Sequence, residues 1–524
     1  MAGSEVSVDS AAVPGEALPE SVQRVTDAGS TDDGVGGRER VWVHRAAAAG
    51  LVLLAANILF RAARSRGYYC EDDYGHLLLS REAWRHPSLI LDVWGRPLMT
   101  AVFMPAAKIG RDVGIRATAL VLISVAALCC YGRRRALGSS VALLAPVSLL
   151  ALPLMARLSF TALPYAPFAC VLGLALWLEA RGRQLAAAVV VSMLPLARLE
   201  GLVVIIVWAV WLAWQRRWLL VPVVGLGVVM WALIGAVTHS DLLWILHSSP
   251  YGVSGSAYGR VGWTYIFHAF PIFVGPVMGG LLFASLALRL KRDVLVCAIA
   301  LALLGFYVVA WGLGDFNTLA TPIYLTTMSV PFALITSEVL EVALQGRSVS
   351  MHPILVIVAA LVGVALLAVG RRPSDVVMIL VAGAFVLWLS PLIDLRDHVR
   401  ALAGWCVLPV AVLAGIVLTH AIPLDGSPSV SRQIAKEPVA KRIAFWTDPA
   451  FGWYANRPPS PPVSILKDLS IGGYVLRDSS LGKYVVSDSR LRHLGYRPVR
   501  SQSANGTVVT LWRRVQTTPL NKLK

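Results

Sequence analysis

Long apolar runs separated by short charged segments dominate the pattern of this 524-residue chain. About 20 apolar residues in a helix are enough to cross the hydrocarbon core of a bilayer. The pattern therefore predicts a polytopic membrane protein with about thirteen spans. The predicted spans are 41–60, 115–131, 139–157, 162–179, 185–197, 202–214, 218–237, 264–288, 294–313, 318–336, 353–370, 375–392 and 402–422.

The basic residues between the runs predict the orientation of the chain. Most of them fall on one side under this count, and an excess of Lys and Arg marks the cytoplasmic side; Arg371-Arg372 is the exception. The count depends on dividing 185–214 into two short spans, because one continuous helix would place Arg216-Arg217 outside. The N-terminus is then cytoplasmic, and the first loop, 61–114, and the segment 423–524 are external.

Composition supports this class of protein. The chain is 56% hydrophobic and 15% charged, whereas soluble domains carry about 25% charged residues. The net charge of +17 comes largely from the basic residues in the short loops between apolar runs, where they set the topology. No zinc-finger or RNA-binding pattern is present, so a nucleic-acid partner is not indicated. The six cysteines form no CxxC pair, so a disulfide framework or a metal site is not expected.

Three segments follow from these patterns. Residues 1–41 lack apolar periodicity and predict a disordered cytoplasmic tail. Residues 42–422 form the transmembrane module, in which the apolar stretch 98–109 of the first loop is short enough to be interfacial or re-entrant. Residues 423–524 contain Pro-rich and alternating stretches and predict a small extracytoplasmic α/β domain. The fold class is thus an all-α polytopic membrane protein with that domain appended.

An acidic cluster, Glu71-Asp72-Asp73-Tyr74, follows the first span. A carboxylate at a dry membrane edge has a raised pKa, which suits a general base that takes a proton from a hydroxyl or amine nucleophile. Three adjacent acids also repel one another, so a divalent cation beside them is one candidate cofactor; no other cofactor is indicated. The alternative is ordinary charge on a solvated loop. For a catalytic pair, too, a carboxylate at the edge of a loop is expected to contribute little to the stability of a helical bundle, so the protein should fold without either aspartate.

Three further ionisable residues are candidates for substrate binding. Arg96 precedes Pro97 at the head of an apolar helix, where it would hold a phosphate or serve as a snorkelling anchor. Arg198 and Glu200 lie between two short spans, at a depth where ionisable residues are costly and usually functional or paired. The alternative for that pair is a turn in which the two side chains neutralise each other.

The segment 238–263 is rich in Gly and Ser and contains His247 and Tyr251. Such a loop is suited to contacting a substrate. The two histidines in the segment match no standard spacing of zinc ligands, so a metal site is the weaker interpretation. A plain connector is the remaining one.

These motifs resemble those of the GT-C superfamily of membrane glycosyltransferases, in the branch of the protein O-mannosyltransferases and the lipid A aminoarabinose transferase. The similar features are Asp72-Asp73-Tyr74 followed by Ser80-Arg81-Glu82, the basic-Pro pair Arg96-Pro97, the charged hairpin Arg198-Leu199-Glu200-Gly201, and the segment Phe445–Pro458 with Trp453-Tyr454 and Arg457-Pro458.

The resemblance implies Asp72 as the catalytic carboxylate, Asp73 as its neighbour and Arg96 as a contact of the donor phosphate. It implies a polyprenyl-phosphate sugar donor entering from the lipid, inversion at the anomeric carbon, and a glycan, lipid or protein acceptor. The enzyme would lie in the bacterial inner or plasma membrane. In one respect the sequence departs from the family: many relatives carry a second Asp after the third span, whereas the segment Arg157–Pro164 contains no acid.

Two alternatives remain at this stage. A transporter or flippase of a lipid-linked or small polar substrate would show repeated halves and broken spans near the midplane, and no internal repeat is visible in the sequence. A non-catalytic scaffold would keep the fold and bind a partner through the external segment.

Overall fold

The computed structural model describes residues 36–65, 67–247, 262–287, 293–313, 322–344, 376, 378–384, 397–421, 427–457, 473–478, 487–504 and 507–515. Apolar helices dominate this part of the chain. The helices are α1 (Gly36–Arg64), α2 (Glu71–Glu82), α3 (Pro97–Pro105), α4 (Arg111–Ala136), α5 (Leu144–Ala151), α6 (Pro153–Leu158), α7 (Tyr165–Ala180), α8 (Gln184–Val191), α9 (Leu194–Ala197), α10 (Gly201–Trp214), α11 (Leu226–His239), α12 (Trp244–His247), α13 (Tyr265–Ala287), α14 (Val294–Leu313), α15 (Ser329–Leu344), α16 (Asp397–Ala421), α17 (Ser427–Ile434), α18 (Pro449–Tyr454) and α19 (Asp488–His493).

Six helical segments of the described chain are long and apolar enough to cross a membrane. They are Val41–Arg64, Pro97–Ala136, Trp218–His239, Tyr265–Ser285, Val294–Leu313 and Pro322–Leu344. Four shorter apolar helical stretches accompany them: Tyr165–Ala180, Gln184–Ala197, Gly201–Trp214 and Cys406–His420. The helical membrane class therefore agrees with the sequence, whereas the count of thirteen stays a prediction. The predicted span 353–370 lies outside the described residues, as does most of 375–392.

Two apolar stretches differ from the helices that the sequence predicts. The run 139–157 forms α5 and α6, which are separated at Leu152, a residue with extended backbone before Pro153. This break is expected because the ring of a proline disfavours helical backbone in the preceding residue. The predicted interfacial stretch 98–109 forms α3 and a π turn that lead directly into α4.

The division of 185–214 occurs at the predicted place. Helix α9 ends at Ala197, Arg198 is extended (φ −154°, ψ 145°), and α10 starts at Gly201. The Gly201 N–H closes the turn by donating to the Arg198 carbonyl at 2.9 Å. A Cβ on Gly201 would lie 2.4 Å from the backbone carbonyl carbon of Leu194, so the turn closes tightly only because residue 201 is glycine.

The C-terminal part of the chain contains a four-stranded sheet in the order β1-β2-β4-β3. Strands β1 and β2 are parallel, and the other neighbours are antiparallel. The strands are β1 (Ile443–Trp446), β2 (Tyr474–Asp478), β3 (Tyr496–Ala504) and β4 (Thr507–Arg514). Buried side chains on both faces, such as Trp446 and Trp512, show that this α/β unit has its own core.

Helix α18 joins this unit to the first loop. Trp453 and Ala450 belong to the same buried cluster as Tyr74, Leu77 and Leu78 of α2. The Tyr454 hydroxyl also lies 3.2 Å from the hydroxyl of Tyr74. Helix α2 of the first loop therefore packs against the α/β unit, and the external location of both remains a prediction.

The glycine turn between α9 and α10 gives a stability prediction. Gly201→Ala should lower the unfolding free energy by about 1–3 kcal/mol, the usual cost of overpacking, because its Cβ would meet the backbone of Leu194 and Pro195. The measurement is the thermal unfolding midpoint of the purified protein in detergent. Gly305→Ala is the matched control: it lies in α14 with open space around its Cβ position, so it should leave the midpoint equal or higher. An unchanged midpoint for Gly201→Ala would show that the turn is not tight.

Candidate active site

The acidic cluster lies in the first turn of α2, where its two aspartates have different surroundings. Asp73 is completely buried. Its Oδ2 accepts hydrogen bonds from the backbone N–H groups of Tyr69 (3.0 Å) and Cys70 (3.1 Å), and its Oδ1 accepts one from Ala162 (2.6 Å). The expectation that both aspartates are loop-edge carboxylates of little structural importance is therefore wrong for Asp73, which fastens the start of α2 to the segment before α7.

Burial raises the pKa of Asp73 to about 7, while its three backbone donors act in the opposite direction. An aspartate in an unfolded chain has a pKa of about 3.9. Ionisation of Asp73 therefore costs stability in the folded protein, and that cost develops as the pH rises from about 4 to about 7. Below pH 7 the side chain is mainly neutral.

Asp72 is partly exposed and makes no hydrogen bond within the part of the chain that the structure describes. Burial raises the pKa of its carboxyl, and the nearby positive charge of Arg198 acts in the opposite direction. Neighbouring residues in a helix point in different directions. Asp73 therefore meets backbone N–H groups, whereas the carboxyl of Asp72 accepts no hydrogen bond from the described residues. A carboxylate of this kind can take up a proton.

Arg198 and Glu200 form a bidentate ion pair. Arg198 donates through Nε (3.1 Å) and Nη2 (2.6 Å) to the two carboxylate oxygens of Glu200. Its guanidinium carbon lies 4.5 Å from the ring centre of Tyr165 and 5.2 Å from that of Tyr324. Tyr307 donates its hydroxyl to Glu200 at 3.2 Å. The pair is thus mutually neutralised, as one interpretation of the sequence holds.

Arg96 lies across the same space. It is buried, precedes α3 with a positive φ of 62°, and donates through Nη1 to the carbonyl of Val93. A cavity of about 170 Å³ is lined by Arg96, Arg198, Glu200, Tyr307 and Tyr324, among others. The fold therefore brings Arg96 together with Arg198 and Glu200, which lie about a hundred residues away in the sequence. Asp72 lies close enough to Arg198 for the positive charge to act on its carboxyl.

The sequence interpretation missed His76, which lies close enough to Arg96 and Arg198 for their charges to act on it. Its ring stacks on Trp94 with the ring centres 4.3 Å apart. Burial lowers the pKa of His76 to about 3, helped by the charges of Arg96 and Arg198, so the imidazole is neutral at ordinary pH. Tyr307 and Tyr324 were missed as well, because in sequence they are ordinary members of apolar helices.

The remaining candidates lie elsewhere. His247 is exposed, and its Nδ1 lies 2.7 Å from a carboxylate oxygen of Asp241. Among the described residues, His247 does not line the cavity that contains Arg96 and Arg198. Tyr251 lies outside the described residues. Within the described ranges no cluster of three His, Cys, Asp or Glu side chains has a metal-binding arrangement, and the divalent cation stays a prediction.

Comparison with known proteins supports the fold. No protein-family model and no curated protein matches the sequence. Among solved structures, the crystal structure of ArnT from Cupriavidus metallidurans bound to undecaprenyl phosphate matches with a TM-score of 0.55 and 16% sequence identity, over 90% of this chain and 98% of ArnT. At this identity the likeness shows a shared fold, which agrees with the helical membrane class predicted from the sequence.

The two aspartates should differ in their effect on stability. At pH 6, where Asp73 is mainly neutral, Asp73→Ala removes the acceptor of three backbone N–H groups and should cost about 1–3 kcal/mol of unfolding free energy. Asp72→Ala is the matched control and should change the unfolding midpoint little, since Asp72 accepts no hydrogen bond from the described residues. Chemical denaturation in detergent at pH 6 makes the comparison. Equal losses in the two variants would contradict the anchoring role of Asp73.

Proposed function

We propose that this protein is a membrane glycosyltransferase that moves a hexosyl or pentosyl group from a polyprenyl-phosphate donor to a glycan, lipid or protein acceptor at the external face of a bacterial inner or plasma membrane. The main support is the cavity that Arg96 and Arg198 line together, with the carboxyl of Asp72 close enough to Arg198 for their charges to interact. The shared fold with ArnT, whose crystal structure holds undecaprenyl phosphate, supports the choice of donor.

The two arginines are suited to the donor phosphate. Arg198 uses Nε and Nη2 for Glu200, which leaves Nη1 for a ligand oxygen. Arg96, the residue before α3, lines the same cavity. Guanidinium groups bind phosphate oxygens strongly through charge-assisted hydrogen bonds, and they would stabilise the charge that develops on the departing phosphate.

An apolar cavity of about 370 Å³ and the phosphate site both take lining residues from helix α14. It is lined by side chains of α13, α14 and α15, including Phe270, Leu304 and Val308. Leu304 and Val308 flank Phe306 and Tyr307, which line the polar cavity. The first part of a polyprenyl chain would fit this apolar space while its phosphate remains near Arg96 and Arg198.

The proposed chemistry is a single displacement. The acceptor oxygen or nitrogen attacks the anomeric carbon from the face opposite the phosphate, and its proton passes to Asp72. The bond between the anomeric carbon and the phosphate oxygen breaks, and polyprenyl phosphate leaves with the negative charge. One displacement inverts the anomeric centre. Asp73 contributes by positioning, because it fixes the first turn of α2 from which Asp72 projects.

A decisive experiment uses the purified full-length protein in lipid. It is incubated with a panel of polyprenyl-phosphate sugars and candidate acceptors, and released polyprenyl phosphate is measured. Release that depends on a sugar donor supports the transferase. Uptake or flipping of a labelled substrate in sealed vesicles, without cleavage, would instead support the transporter.

Loss of the base should remove activity in a pH-dependent way. Asp72→Asn retains the shape of the side chain and should lower turnover by about 10²–10⁴-fold. Because burial raises the pKa of Asp72, wild-type turnover should fall on acidification with a midpoint above the ordinary aspartate value of about 3.9. Turnover against pH in both proteins, at equal amounts of folded enzyme, tests this expectation. Full activity of Asp72→Asn would remove Asp72 as the base.

Arg96 should contribute to binding of the donor. Arg96→Ala should weaken the binding of a polyprenyl-phosphate sugar by about 1.5–3 kcal/mol, the size of a hydrogen bond to a charged group. Isothermal titration with a short-chain donor measures this change. Arg135→Ala, an exposed arginine at the end of α4, removes the same charge away from the cavity and should bind normally. Equal affinity in the two variants would exclude Arg96 from the phosphate site.

A further inference from the structure

A second polar cavity, of about 440 Å³, lies where the first loop meets the C-terminal α/β unit. Its walls come from the end of α2, from the junction between α3 and α4, and from α17 and α18. Five basic residues line it, against two acidic ones, Glu82 and Asp112. The basic residues are Arg81, Arg85, Lys108, Arg111 and Arg432.

The two acids are already engaged. Glu82 lies 3.5 Å from Arg81 and 3.6 Å from Arg85. Asp112 accepts hydrogen bonds from the hydroxyl of Tyr68 at 3.2 Å and from the indole N–H of Trp453 at 2.8 Å. Negative charge within the cavity therefore balances only part of the positive charge.

Three cations remain without a carboxylate partner among the described residues: Lys108, Arg111 and Arg432. Arg432 packs over the ring of Tyr454 at 5.2 Å, which fixes its position but does not neutralise it. Arg111 lies close enough to Arg81 for their charges to repel each other. Its backbone also has a positive φ of 45°, a conformation that side-chain-bearing residues adopt rarely and often at functional sites.

Exposed apolar side chains flank the same junction. Ile109 is 82% exposed and Val113 is 80% exposed, on either side of Arg111. Ile109 precedes the apolar helix α4 and Val113 lies in its first turn, and both belong to the 40-residue apolar segment Pro97–Ala136. Helix α4 alone, with 26 residues, is long enough to cross a bilayer. Its start, with these apolar groups and cations, then lies at the level of the lipid headgroups.

We propose that this cavity binds the phosphate headgroup of an acidic phospholipid. The phosphate lies between Lys108, Arg111 and Arg432, and the acyl chains run along Ile109 and Val113. The bound lipid links the α/β unit, through Arg432, to the membrane-embedded helix α4. The proposal does not depend on glycosyl transfer, because Arg96 and Arg198 line a different cavity.

The test titrates a fluorescent short-chain phosphatidylglycerol onto the full-length protein in uncharged detergent. The triple variant Lys108→Gln/Arg111→Gln/Arg432→Gln should raise the Kd by at least about tenfold, given the attraction of each basic residue for an anionic lipid surface. Arg81 is kept, since it donates to Asn456 and to the backbone of Trp453. Rising salt should weaken the binding by the wild type more than that by the variant.

The matched control is Arg135→Gln/Arg181→Gln/Arg183→Gln, which removes the same charge from exposed arginines elsewhere. It should keep the wild-type Kd, and a similar loss in both triples would overturn the site. Phosphatidylcholine binding as strong as that of phosphatidylglycerol would also overturn it, and so would inorganic phosphate binding as tightly as the lipid. If the site triple fails to fold, Arg432→Gln alone should still raise the Kd by about threefold, and an unchanged Kd there overturns the proposal.

Discussion

The convergence of three backbone N–H groups on the buried carboxylate of Asp73 determines the geometry of the candidate site. Two of these groups precede α2, and the third belongs to Ala162, 89 residues further along the chain. The carboxylate thereby fixes both the starting point and the direction of α2. Asp72 is the preceding residue of that helix, so its position near Arg198 depends on this attachment. Removing the attachment would disturb the reacting geometry without removing any reacting group.

Arg198 and Glu200 are retained in the apolar interior because each compensates the charge of the other. Arg198 faces both oxygens of Glu200, and Tyr307 adds a hydrogen bond to that carboxylate. A buried charge without such partners would cost several kcal/mol. The pair also orients Arg198, whose Nε and Nη2 both donate to Glu200. Neutralisation and function are therefore compatible for these residues, although the sequence presents them as alternatives.

The sequence predicts the helical class and the break at Arg198–Gly201, because both depend on local pattern. It predicts neither the division of 139–157 at Leu152 nor the direct continuation of α3 into α4, since the apolar composition does not change at those points. The resemblance assigns different roles to Asp72 and Asp73, but the residue pattern does not show the burial of Asp73, which depends in part on Ala162, distant in the chain. His76 and Tyr324 join the site only through tertiary packing, and nothing in their sequence context separates them from core residues.

The packing of α18 against α2 bears on how such proteins can diversify. Trp453 and Ala450 complete the same buried cluster as Tyr74 and Leu77, and the hydroxyls of Tyr74 and Tyr454 lie 3.2 Å apart. The C-terminal unit is therefore not an independent module attached by a tether. If recombination exchanged the C-terminal unit alone between homologous genes, the side chains of this shared core would no longer fit. The segment that carries α2 would have to be exchanged with it, so the two distant stretches of the gene should evolve as one unit.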